Sequence, residues 1–354
     1  MRWVGGEAAR NLLSGTTHAL RYALVLALVL GALVAAEVAT VDELLTRAAA
    51  YRASGGSVLT LEAVGQVDGR ACEAIGELPG VRAAGALRTR TEPLVSTLLP
   101  RGPVAAYSVT PGLLEVVGAR QVATPGVVLA DDVAESLGLS ARSTLVTTAG
   151  TTTVRGTYAW PDDGRRAGFG YAALVPDDTG VPYDQCWVEA WPVPTDLANV
   201  LRSTLLPAPD GMSEVRSSRL NTSLGAHFDG EALYTGRVTR YAAVAGLVAG
   251  LLVGLASALG RRLELASARH VGVTRRAQHA QVLVESSVWV LAGGVLAGAA
   301  AAATIARAGG HDDGALVLAA AHVVVPGLLG ALLGPQLAVA VTQESHLFRY
   351  FKSR

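Results

Sequence analysis

Four apolar stretches punctuate the chain, and a region of different texture separates the first from the second. Tyr22–Ala36 is an unbroken apolar run that Ala19 and Leu20 extend; Tyr241–Gly260, Val288–Ala306 and Ala315–Val341 are the others. A helix needs about 20 such residues to cross a bilayer. The pattern therefore predicts membrane helices over 19–37, 241–260, 282–306 and 315–341, with Pro326 and Pro335 bending or ending the last. The first run also admits a signal peptide, with Val34-Ala35-Ala36 as its small-residue cleavage site. Glu7 and the amphipathic stretch Ala8–Leu20 make a long leader for that, and Arg21 can reach the interface from a helix end. An uncleaved span is the reading adopted, preceded by a surface segment over 1–18 and continuing outward through Val38–Ala50.

Residues 38–240 contain no run long enough to span. They alternate short β-rich and helical stretches between Gly and Pro turns, as a folded α+β domain does. Ser57–Val64 reads as a strand, Asp68 as the cap of a helix to about Leu78, and Val81–Leu87 as a strand after the Pro79-Gly80 break. A second β-α-β unit follows later: strand Gln185–Trp191, a helix capped by Thr195, and a strand near Glu214–Leu220. Paired, the two units make a ferredoxin-like layer. Between them lie a strand at Val104–Val109, a helix opened by Thr110-Pro111, a strand at Gly126–Ala130, a helix capped by Asp131, and a hairpin over Ser143–Tyr158. The fold class is thus a membrane protein with four transmembrane helices and a large α+β domain, itself a ferredoxin-like layer with an inserted β-rich subdomain.

Composition narrows the picture. Of 354 residues 51% are hydrophobic and 16% charged, and the net charge is zero. That balance suits neither an ordinary soluble domain nor a chain that is all membrane, and it points to no nucleic-acid partner. Arg and Lys gather in 1–21, in 261–276 and in the tail 342–354, while the turn 307–314, with its acidic His311-Asp312-Asp313, has one. Basic flanks mark the cytoplasmic side. Both ends and the connector 261–281 are therefore expected inside, in the plasma membrane, and 38–240 outside. No phosphate loop of the G-x-x-x-x-G-K-[ST] kind and no catalytic or metal-ligand constellation stands out. The chain is not expected to be an enzyme or to carry a cofactor or metal of its own. Asn221-Thr222-Ser223 is a formal glycosylation sequon that matches too easily to weigh.

Four sets of residues are candidates for function. Gly246, Gly250 and Gly254 recur every four residues and give one smooth ridge where another helix can approach. Cys72 and Cys186 fall on the two β-α-β units. If those units pair, the thiols meet as a disulfide in an oxidising compartment; the other reading is two buried free thiols. Glu285 and His322 are ionisable residues at or near membrane depth.

The fourth set is the connector, Arg261–Glu285: RRLELASARHVGVTRRAQHAQVLVE. Arg261, Arg262, Glu264, Leu265, Ala266, Arg269, Gly272, Thr274, Arg275 and Arg276 form a pattern that resembles the connector of the FtsX/MacB-type ABC-transporter permeases. The resemblance covers most of the chain and is best in its last third. It implies a permease subunit, paired with a second permease, whose connector docks on a separate cytoplasmic P-loop ATPase that binds ATP and Mg. It assigns Arg261, Arg262, Glu264, Arg269, Gly272, Arg275 and Arg276 to ATPase coupling. It also implies export or extraction of an extracytoplasmic substrate such as a peptide, antibiotic or lipid-linked molecule, or action on an extracytoplasmic partner. The apolar Leu337–Thr342 departs from the family, which often has a basic run there. The competing reading is a membrane-anchored sensor or scaffold with no ATPase.

Overall fold

A computed structural model describes residues 10–11, 17–177, 179–207, 214–308, 310 and 312–343. Most of the surface segment expected over 1–18, His311 and most of the tail expected over 342–354 lie outside the described residues. The chain divides into two units, Met1–Ala49 with Asp229–Arg354, and Ala50–Phe228. Helix α1 (Ala19–Ala53) runs past the first expected span, and the boundary between the units falls in its last residues.

In the unit Ala50–Phe228, β1 (Val58–Val67), helix α2 (Gly69–Ala74) and β2 (Val81–Thr89) form the first β-α-β unit. Asp68 caps α2, its carboxylate accepting from Arg70 N and Ala71 N. The inserted segment supplies β3 (Ala105–Val109), α3 (Pro111–Val116), β4 (Arg120–Gln121), β5 (Val127–Ala130), α4 (Asp131–Ser136), β6 (Thr144–Thr147), β7 (Gly150–Tyr158) and β8 (Ala172–Pro176). The second unit is β9 (Tyr183–Ala190), α5 (Leu197–Arg202) and β10 (Arg216–Arg219). β10, β1, β9 and β2 lie side by side, every neighbouring pair antiparallel. In units of the two β-α-β motifs this is the order 4-1-3-2 of a ferredoxin-like layer.

The inserted segment continues the same sheet: β3 pairs with β2, and the sheet runs on through β8, β5, β7 and β4 to ten strands, with β6 on β7. Two helix caps differ from expectation. Asp131 is the first residue of α4 rather than its cap; its carboxylate is held by Arg120 instead. Thr195 likewise does not cap α5, which follows Asp196.

The core has two parts. Leu87, Leu113, Leu129, Leu174 and Trp187 centre one, and Leu61, Val188 and Leu201 centre the other beside the Cys72–Cys186 bond. That disulfide ties α2 to β9, with a Cα–Cα distance of 5.8 Å. Asn221 is buried and donates to Ser54 O and Asp163 O, so the sequon is closed to modification in the folded domain.

The other unit continues with α6 (Gly230–Thr235), a short 3-10 turn (Val238–Tyr241), α7 (Ala242–Leu259), α8 (Arg262–His270), α9 (Arg275–Ile305) and α10 (Asp313–Val341). Four helices, α1, α7 with its leading turn, α9 and α10, are long and apolar enough to cross a membrane. Small and branched residues of α1, α7, α9 and α10 meet in its interior, among them Val34, Val38, Ala242, Ala301 and Val323. Leu24, Leu28, Leu252, Leu291, Leu318 and Leu329 point outward, as lipid-facing residues do. Pro326 and Pro335 sit inside α10 without ending it. α9 begins at Arg275, so the connector expected over 261–281 is shorter, and its last residues are the first turns of α9.

Candidate functional site

The connector is a short helix between two breaks. α7 stops at Leu259, Arg261 leaves helical geometry (φ −110°, ψ 18°), and α8 starts one residue later. α8 ends at a left-handed glycine: Gly272 has φ +95°, its N–H reaches Arg269 O at 2.9 Å, and the Val273 N–H reaches Ala268 O at 3.0 Å. This pair of bonds is the Schellman cap, in which the residue after the C-cap is normally glycine. Thr274 then caps α9, its hydroxyl accepting from Ala277 N.

Two arginines of the motif face inward. Arg269 is only 9% exposed. Its guanidinium donates to Gln278 Oε1 at 2.6 Å, to Val339 O at 2.7 Å and to Thr342 O. The last two are carbonyls at the end of α10, where a cation meets the negative end of the helix dipole. Gln278 returns the bond by donating to Leu265 O at 2.6 Å. Leu265, Val282 and Val339 pack beneath. Arg269 thus fastens α8 to α9 and α10.

Arg261 forms the second fastening. It donates to Glu264 Oε2 at 2.8 Å and to Glu285 Oε2 at 2.5 Å. Burial works against its charge, but the Glu264 hydrogen bond and the charge of Glu285 outweigh it and raise its pKa. Glu285, 3% exposed on α9, also accepts from Asn11 Nδ2 and Gln281 Nε2. The buried carboxylate is therefore paired and multiply hydrogen-bonded, as a buried charge must be.

The opposite side of the connector is open. Glu264, Gly272, Arg275 and Arg276 are exposed, and Val271 is 83% exposed. Arg275 and Arg276 occupy the first turn of α9, which has no acidic residue. Cations there face the positive end of the helix dipole and weaken the helix by about 0.3–1 kcal/mol each. The pair is thus placed against the interest of its own helix.

No protein-family model and no curated protein matches the chain. Solved structures are similar. The periplasmic region of MacB from Actinobacillus actinomycetemcomitans aligns at 12% identity over 48% of this chain and 91% of that one, with a TM-score of 0.35. The extracellular domain of the noncanonic ABC-type transporter YknZ from Gram-positive bacteria aligns at 9% identity over 40% and 88%, with a TM-score of 0.29.

The remaining candidates lie apart from the connector. Gly246, Gly250 and Gly254 face α10 across a contact so close that a Cβ on Gly250 would stand 2.0 Å from Gly327 O. α10 answers with glycines of its own: a Cβ on Gly330 would meet Leu247 O, and one on Gly334 would meet Leu251 O. These were not singled out in the sequence, although their spacing of three and four residues is the same signal. His322 sits on the exposed face of α10 and joins no site. Gln278 was also missed; a glutamine ahead of a membrane helix carries no signal until its partner Arg269 is known. Among the described residues no group of His, Cys, Asp or Glu is placed to hold a metal ion.

Proposed function

We propose that this chain is the membrane-spanning subunit of an ATP-driven transporter, and that the exposed side of its connector docks on a separate cytoplasmic ATPase. One observation carries the reading: Val271, Arg275 and Arg276 project from a turn that Arg261 and Arg269 brace from behind. A loop that only sets topology needs its positive charge but not a rigid mount. The mount also suggests how displacement travels. Arg269 holds α8 to the end of α10, and α10 meets α7 glycine to glycine, so a push on the connector moves α7 and α10 together. Close backbone contact of this kind leaves little room for sliding.

In this reading Arg261 and Arg269 position the connector, while Val271, Arg275, Arg276 and Glu264 meet the ATPase; Gly272 shapes the turn. The partner surface that fits is an apolar groove with acidic residues at its rim. A second permease subunit and an extracytoplasmic substrate complete the proposal, with export or extraction the expected direction. The test is co-purification of the ATPase subunit with the Arg275→Glu/Arg276→Glu variant. We expect at least tenfold weaker association, on the order of 1.4 kcal/mol or more, with insertion and stability unchanged. Undiminished association and activity would leave the connector a topological loop and favour the sensor or scaffold.

A further inference from the structure

The segment leading into α7 carries exposed apolar and aromatic side chains; among the described residues, the guanidinium of Arg237 lies over the Tyr234 ring and that of Arg240 over the Tyr241 ring. Neither α6 nor the 3-10 turn Val238–Tyr241 has a buried residue. Val238 is 96% exposed and Tyr241 62%, and Leu233 and Tyr234 are exposed as well. Tyr234, Val238 and Tyr241 are spaced by four and three residues. The polar residues at the start of α6, Asp229 and Glu231, include the one that caps it: Asp229 Oδ1 accepts from Ala232 N at 2.8 Å.

We propose that this segment rests on the lipid surface at the N-terminal end of α7, with Tyr241 and Val238 in the headgroup region and Arg240 on a lipid phosphate. Depth is the first argument. Val238–Leu259 is a single apolar span of 22 residues. At about 1.5 Å per residue it is as long as the hydrocarbon is thick, so its first turn lies at the boundary. Chemistry is the second. Tyrosine is enriched at that boundary, where its ring is half apolar and its hydroxyl wet, and Arg240 lies 4.5 Å over the Tyr241 ring with its charge at the surface. Continuity is the third: the exposed Val244, Val248 and Leu252 carry the apolar surface on along α7.

The neighbouring Arg237 behaves differently, and the contrast supports the reading. It turns inward, donating to Glu37 Oε1 at 3.0 Å and to Tyr234 O at 2.7 Å. Glu37 is fully buried on α1. The segment is therefore tied to α1 on one side, which leaves Val238, Arg240 and Tyr241 directed away from the bundle. A lipid surface, and not a second protein, is the occupant that fits an apolar strip continuous with a membrane span.

The full chain has only Cys72 and Cys186, which are bonded to each other, so a single added cysteine can be labelled. Val238→Cys carrying an environment-sensitive fluorophore is reconstituted in phosphatidylcholine vesicles. Spin-labelled lipids quench either near the headgroup or near the chain end. Glu135→Cys on the exposed side of α4 serves as the control, and Tyr234→Cys is a second site should Val238→Cys insert poorly. The expected result is blue-shifted emission at 238, quenched several-fold more by the headgroup label than by the chain-end label, and several-fold more than at 135. Water-like, unquenched emission would overturn the proposal. So would blue-shifted emission that no lipid label quenches, which marks cover by protein, or preferential quenching from the chain end.

Discussion

At the scale of single residues, the connector rests on one left-handed glycine and two inward arginines. Nothing lies within 4 Å of a Cβ built on Gly272, so a side chain there meets no wall. Its cost is the backbone conformation, about 1–2 kcal/mol for a residue with a Cβ. Gly272→Ala is expected to loosen the end of α8 by that amount, Gly272→Asn by less, and Gly272→Leu by no more than Gly272→Ala. Amide exchange across 262–274 reads this directly; protection that is unchanged in all three variants would show that the cap does not hold α8. Glu285 makes a different prediction. Glu285→Ala leaves the largely buried Arg261 with only the exposed Glu264 to pair with and is expected to cost about 1–3 kcal/mol, whereas adding Arg261→Met to Glu285→Ala restores most of it. Thermal unfolding in detergent measures both, and a double variant as unstable as the single one would refute the pairing argument.

At the scale of elements, local signals were legible and long-range partners were not. The four membrane helices and the two β-α-β units follow from runs of apolar residues and from punctuation such as Asp68 and Pro79-Gly80, which act within a few residues. β8 was missed because Ala172–Pro176 is only five residues long, two of them alanine and the last proline, and its strand identity comes from its parallel partner β3, more than 60 residues earlier. The joining of the insert to the ferredoxin-like layer depends on β2–β3 pairing, again a tertiary fact. In the connector the residue types were legible, but their direction was not: Arg269 and Arg276 look alike in sequence, and only the end of α10 turns one of them inward. The glycine ridge illustrates the same divide, since its spacing on α7 is local while its partner is on α10. This contact yields a contrast between two glycines of the bundle. Gly250→Leu would place its Cβ 2.0 Å from Gly327 O, so α7 and α10 must part; Gly298→Leu meets nothing within 4 Å. Gly250→Leu is expected to abolish stable, monodisperse protein, and Gly298→Leu to keep stability within about 0.5 kcal/mol. Equal behaviour of the two would mean that the α7–α10 contact does not hold the bundle.

At the scale of the whole molecule, the Cys72–Cys186 bond and the charge pattern bear on the same question of which side each part faces. Arg and Lys concentrate at 1–21, 261–276 and 342–354, the distribution expected of cytoplasmic segments. A disulfide persists in an oxidising compartment and is kept reduced in the cytosol of most cells, so its place in the unit Ala50–Phe228 argues for the outside. Charge pattern and disulfide are independent, because neither cysteine lies near a basic cluster. The expected topology puts a reporter fused after Thr342 inside and one inserted at Gly164 outside. The disulfide supplies a second readout from the native chain. It closes a loop across a sequence separation of 114, for which chain entropy gives roughly 4–5 kcal/mol. Protein made in cells with an intact oxidising pathway should therefore run faster unreduced than reduced, and Cys72→Ser should remove the shift and lower the unfolding midpoint. If the chain is cleaved after Ala36 instead, mature protein begins at Glu37 and keeps three spans, so the four-span topology falls while the mobility shift survives. If the unit faces the cytoplasm, both thiols alkylate in denatured, unreduced protein and the shift is lost. The two failures are distinguishable, and the expected result excludes both.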